Sequence, residues 1–170
     1  MTTTARTVTA RPAVVRAGEG RGLALLDSRY TVLAGAEETG GRAAFIECVA
    51  PPSGTGNPPM HIHADEDEAF FMLDGELELH LPGHGIVERV GPGDFAIVPR
   101  GAEHTFRVTS GTPARWLVVT TGRDFERFVR AVGQPMDRPG LPEPAPMPPP
   151  EVLAAVAAEH GVVVTGPPVG

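Results

Sequence analysis

Between Leu23 and Thr121 the chain is a succession of short apolar or alternating runs, each closed by Gly, Pro or Asp, with no long helical stretch among them. The runs are Leu23–Leu26, Tyr30–Ala34, Ala43–Val49, Met60–His63, Glu68–Leu73, Glu76–Leu81, Gly85–Val90, Phe95–Val98, His104–Val108 and Arg115–Thr120. Segments of this length and spacing cannot each bury a helical face. They can alternate sides of a sheet, so the pattern predicts an all-β antiparallel sandwich or barrel.

One junction stands out. Asp74-Gly75 separates Phe70–Leu73 from Glu76–Leu81, and Asp-Gly is a favoured two-residue hairpin turn. The second of these runs alternates strictly, which sends Leu77, Leu79 and Leu81 to the core and Glu76, Glu78 and His80 to water. His80 is therefore expected on the surface, and His84 in the following Pro-Gly-His-Gly turn is expected to be solvated.

The flanks have another character. Residues 1–22 are rich in Thr, Arg and Gly and read as a loose arm; residues 23–121 form the barrel; residues 122–170 form a C-terminal segment. In that segment Asp124 is placed to cap a short helix with Phe125, Phe128, Val129 and Val132 on one face. Eight prolines from Pro135 to Pro150 then make an extended strap, a second helix runs from Pro150 to His160, and Val162–Val164 offers an added edge strand.

Composition excludes several functions. All 14 basic residues are Arg, the net charge is −7 and the pI is near 5.3, which argues against a nucleic-acid partner that would need a basic face. Cys48 is the single cysteine, so intramolecular disulfides and thiolate metal clusters are ruled out, and a free Cys inside an apolar run is expected to be buried. The first 16 residues lack the apolar stretch of a signal peptide, and no window has the length of a membrane span. A cytoplasmic protein without a membrane partner is the expectation.

His61 and His63 are two apart on a strand, which puts both imidazoles on one face, as a shared metal ion needs. His104 leads another strand and shares its side with Phe106 and Val108; an inward histidine on an apolar face requires a partner. Four consecutive acids, Asp65-Glu66-Asp67-Glu68, follow His63. Glu68 shares the parity of Phe70 and Met72, while Asp67 shares that of Ala69 and Phe71, and periodicity alone leaves both in play. Glu66 and Asp67 are expected to be solvated turn residues rather than partners of the imidazoles. Glu103 has the opposite parity from His104 and should point away.

These residues resemble the two motifs of the cupin family. The first reads His61-x-His63, then Glu68 after four residues and Gly75 after six more; the second reads Gly93, Pro99, Gly101 and His104 at matching spacers. Two positions depart: the glycine ahead of the first histidine is displaced to Gly54 or Gly56, and the final Asn is Val108. The runs at Pro58–Glu68 and Gly93–His104, and the Phe-Glu-Arg-Phe helix followed by a proline strap, are similar to the single-domain quercetin dioxygenase-like cupins.

The resemblance implies a double-stranded β-helix, or jelly-roll barrel, with short C-terminal helices. It implies one divalent transition metal per chain, Fe, Mn, Ni, Co or Zn, held by His61, His63, Glu68 and His104, with coordination positions left open. It also implies that Glu68 is a catalytic base toward an aromatic or enolic small molecule, with dioxygen as co-substrate, and that the protein is a homodimer. The remaining cavity is expected to be apolar, from Phe45, Phe70, Met72, Phe95, Ile97, Phe106 and Trp116. Because cupins host many chemistries, a non-redox cyclase, isomerase or lyase and a non-catalytic binding module are the competing classes.

Overall fold

The computed structural model describes residues 10–52, 57–146 and 148–170. The first nine residues of the expected arm, and Gly54 and Gly56, lie outside the described residues. The strands are β1 (Arg21–Leu25), β2 (Ser28–Ala34), β3 (Ala44–Ala50), β4 (Met60–His63), β5 (Glu68–Asp74), β6 (Leu77–Leu81), β7 (Ile86–Val90), β8 (Phe95–Val98), β9 (Thr105–Val108), β10 (Ala114–Thr120), β11 (Gln134–Pro135) and β12 (Val162–Gly166). The helices are α1 (Ala36–Thr39), α2 (Asp124–Val132) and α3 (Pro150–Ala158). None of them is long and apolar enough to cross a membrane.

Strands β11-β1-β2-β3-β10-β5-β8 make one antiparallel sheet, β7-β6-β9 a second, and β12-β4 a short third. Period-2 alternation sets the inner face. On β3 it is Ala44, Ile46, Cys48 and Ala50; on β10, Ala114, Trp116, Val118 and Thr120; on β5, Glu68, Phe70 and Met72, all buried. Leu77, Leu79 and Leu81 of β6 close the core from the opposite sheet, as their alternation predicts.

The Asp74-Gly75 junction is not a hairpin. Strand β5 pairs with β10 and β8, whereas β6 pairs with β7 and β9, so the turn carries the chain across from one sheet to the other. Gly75 adopts φ 70°, and a Cβ there would stand 2.6 Å from the Cα of Ala114, so both conformation and space demand glycine. Glu78 also departs from expectation: it is buried to 9% exposure within an ion-pair group with His80, Arg89 and Arg107.

The C-terminal segment completes the barrel mouth. Strand β12 pairs antiparallel with β4, setting Val162 opposite His63 and Val164 opposite His61. The end of the arm docks through Arg11, whose guanidinium meets Glu37 and Glu38 at 2.8 and 2.9 Å.

Candidate metal centre and its cavity

Each of the four cluster residues owes its direction to strand parity. His61 and His63 project from the buried face of β4 with Ile62 between them on the other side. His104 precedes β9 and is held to β4 by a backbone bridge to His61, with N–H···O distances of 3.0 and 2.9 Å. Glu68 opens β5 and faces inward beside Thr120 and Val98. One nitrogen or oxygen from each of the four residues lies within 4.8 Å of the others, and all four residues are buried.

Asp67 points elsewhere. Its Oδ1 accepts the backbone N–H of Arg100 at 3.0 Å and its Oδ2 the hydroxyl of Thr121 at 3.3 Å, which pins the turn rather than reaching the cluster. Parity thus separates the two acids as the Phe70 and Met72 pattern suggests.

The imidazoles are oriented from behind. Nδ1 of His61 faces the carbonyl of Pro59 at 2.8 Å, and Nδ1 of His104 faces that of Ala102 at 3.1 Å. Nδ1 of His63 faces a carboxylate oxygen of Glu66 at 3.5 Å. With a metal ion bound, acceptors on the Nδ1 side would favour the tautomer that turns the Nε2 lone pair toward the ion. Nε2 of His63 and of His104 lie 3.2 and 2.9 Å from the same oxygen, Oε2 of Glu68. Neither nitrogen of buried His63 has a well-aligned hydrogen-bond partner. A cation bound at Nε2 would satisfy that nitrogen, and three imidazoles with one carboxylate suit a divalent transition ion better than calcium or magnesium.

The electrostatics are mutual. Burial pushes the Glu68 carboxyl up, but His63 and His104 together outweigh burial and hold it well below the usual carboxylate range. Burial lowers the basicity of His63, yet Glu68 and Glu66 overcome it and raise its pKa to about 10. His61 goes the other way, to about 3, chiefly from burial and then from His104.

Glu66 corrects the expectation of a solvated turn. It is 2% exposed, and its carboxylate accepts the backbone N–H of Asp124 at 3.1 Å and of Phe125 at 2.7 Å. It therefore caps α2, a role the sequence pattern gives to Asp124; no side chain of the helix's own flank makes that cap. A Cβ on Gly122 would stand 2.6 Å from Glu66 Oε2, so glycine there admits the carboxylate. One buried acid thereby ties His63 to α2, whose Phe125 meets the His63 ring edge-on at 5.5 Å between centroids.

Beside the cluster lies a cavity of about 80 Å³ that includes His61 and Glu68 in its wall. Of the aromatic and apolar residues expected there, Phe106 and Trp116 border it. Phe70 and Met72 face inward but are packed in the core beneath. Phe95 and Ile97 are corrections: they are 61% and 57% exposed. Phe95 pairs with outward Phe71, while Ala96 pairs with inward Phe70, so β8 runs with the opposite parity. Phe45 is likewise on the outer side of β3, between inward Ala44 and Ile46.

The walls that sequence reasoning missed come from distant segments. Leu25, Leu26 and Tyr30 enter from the β1–β2 corner, Phe125 and Phe128 from α2, and Leu153 and Ala157 from α3. Only Phe125 and Phe128 left a signal, their shared helical face. Leu26 has φ 58°, unusual for a branched residue, and is the one non-glycine residue with positive φ among those described.

The comparisons with known proteins agree with this architecture. Residues 47–120 match the family described as Cupin domain. A quercetin 2,3-dioxygenase of Bacillus subtilis is 32% identical over 127 residues, 74% of this chain and 36% of that protein. The chain is a cupin. An acireductone dioxygenase of Rhodopseudomonas palustris is 44% identical over 52 residues, 29% of this chain and 31% of that protein. A Thermotoga maritima structure, described as a predicted oxalate decarboxylase, superposes with a TM-score of 0.57 at 22% identity, covering 65% of this chain and 99% of that one; it supports the fold alone. This cupin spans about a third of the length of the two dioxygenases it matches.

Proposed function

We propose that this cupin is a metal-dependent dioxygenase acting on a small aromatic or enolic molecule. The observation that carries the reading is the position of Glu68: its carboxylate stands among three oriented imidazoles and also borders the apolar cavity. The likeness to two dioxygenases supports the same chemistry.

A divalent transition metal held by His61, His63, Glu68 and His104 would supply a Lewis acid that lowers the pKa of a substrate hydroxyl. Glu68 takes the hydroxyl proton, its carboxylate lying both in the four-residue cluster and in the cavity wall. The Nδ1 contacts of Pro59, Glu66 and Ala102 hold the imidazoles in register during that transfer. Phe106, Trp116, Phe125 and Phe128 exclude water from the developing enolate. At about 80 Å³ the cavity falls below the roughly 300–1,000 Å³ of pockets for drug-sized ligands. A compact substrate is favoured over a three-ring flavonol.

Subunit pairing is part of the proposal. Strand β8 ends its sheet, and exposed Phe95, Ile97, Phe71 and Leu73 lie on its outer side and that of β5. An apolar edge of this kind, unpaired among the described residues, supports a homodimer through a second copy of the chain.

The test of the activity is oxygen uptake by the metal-loaded protein with single-ring enols, catechols and flavonols. Uptake that depends on substrate and on bound metal supports the proposal. Turnover of an enol without oxygen consumption would replace it with a non-redox cyclase, isomerase or lyase.

A further inference from the structure

The cavity wall holds a polar group that the protein leaves without a partner. Trp116, the single tryptophan, is 1% exposed and lines the cavity, and its indole Nε1–H meets no acceptor among the described residues. Burying an N–H without an acceptor is costly, and native interiors keep few such groups. Phe106 meets the indole ring near-perpendicularly, with centroids 5.4 Å apart and planes at 78°. An aromatic ring is a weak substitute for an oxygen acceptor.

Register places this donor relative to the cluster. On β10, Thr120 pairs with Glu68 and Trp116 with Met72, so Trp116 sits two inward positions further along the same wall. It shares its rung with Cys48 and, one strand on, Tyr30, both of which also line the cavity. The cavity therefore has the Glu68 carboxylate and the His61 imidazole at one end, apolar sides, and the Trp116 indole toward the other, where it also borders a second, smaller cavity.

We propose that Trp116 is a specificity-determining donor. The ligand it selects is a flat, mostly apolar molecule that carries an accepting oxygen, a carbonyl above all, at the end away from the oxygen facing Glu68. This rests on the reading above only in placing one ligand oxygen at the four-residue cluster.

Because the tryptophan is single, nitrogen-15-labelled protein gives one indole N–H resonance. The Zn(II)-loaded protein is titrated with 3,4-dihydroxybenzaldehyde and with 4-methylcatechol, which share the metal-facing hydroxyls and differ in the distal acceptor. A longer pair, 3,4-dihydroxycinnamaldehyde and 4-propylcatechol, extends the reach. At least one aldehyde should move the indole resonance downfield and bind about tenfold more tightly than its alkyl partner, the effect of one net hydrogen bond. Trp116→Phe should erase that preference while still binding the alkylcatechols. The proposal is overturned if neither aldehyde shifts the resonance beyond its alkyl partner, if the preference survives in Trp116→Phe, or if no catechol binds. Should the variant fail to fold, the wild-type resonance decides alone. Failure of the dioxygenase reading appears separately, as absent oxygen uptake, and leaves the indole result standing.

Discussion

At one end of the barrel interior, polar side chains from β4, β5 and the residue before β9 face a common centre, each braced by a hydrogen-bond acceptor or a charged neighbour. Further along the interior, β3, β9 and β10 contribute Cys48, Phe106, Trp116 and Val118, and the remaining walls arrive from the β1–β2 corner, α2, α3 and β12. The polar end is assembled from two short stretches of chain with fixed spacing. The apolar end is assembled from segments more than a hundred residues apart. Chemistry is thus carried by a local pattern, and selectivity by tertiary packing that can vary without disturbing it.

The largest effects should separate the two ends. Metal analysis should find about one divalent ion per chain, and His61→Ala or His104→Ala should remove most of it, because each deletes one of four ligands. His80→Ala and His84→Ala should leave the content unchanged; equal loss from either would break the division. Next, Glu66→Ala should weaken metal affinity about 10–100-fold in a chelator competition, the usual consequence of losing a group behind a ligating imidazole. It should also lower the melting temperature, since α2 loses its cap, and Glu66→Gln should restore more of the stability than of the affinity.

At the apolar end, Phe128→Ala should cost roughly 3 kcal/mol in denaturant unfolding, as for other buried aromatic truncations, with metal content preserved. Loss of metal in that variant would mean the two ends are one unit. The smallest effect is chemical. Burial, then Glu68 and Glu47, push the Cys48 thiol well above its ordinary pKa, so iodoacetamide should modify it only after unfolding.

The same contrast explains what the sequence revealed. The parity of Phe70 and Met72 pointed to Glu68 but left Asp67 in play; the burial of Glu68 on β5 and the contacts of Asp67 with Arg100 and Thr121 decide between them. The four-residue strand Phe95–Val98 is apolar at every position, so it holds no alternation to read; its parity comes from pairing with β5. Asp74-Gly75 has the chemistry of a hairpin turn and the conformation of one tight glycine, yet joins two sheets, a choice made by where β6 finds its partners. Glu66 was hidden in a run of four acids because its reason for burial, the start of α2, lies nearly sixty residues downstream.

The central claim is that Glu68 both completes the metal site and removes the substrate proton. It is tested most directly by turnover per bound metal in Glu68→Gln, measured with whichever enol or catechol the wild type oxidises. Three imidazoles should retain a substantial fraction of the metal, while turnover per bound ion falls by about two orders of magnitude or more, the usual contribution of a positioned base. Near-normal turnover per bound metal would contradict the account and reduce Glu68 to a ligand.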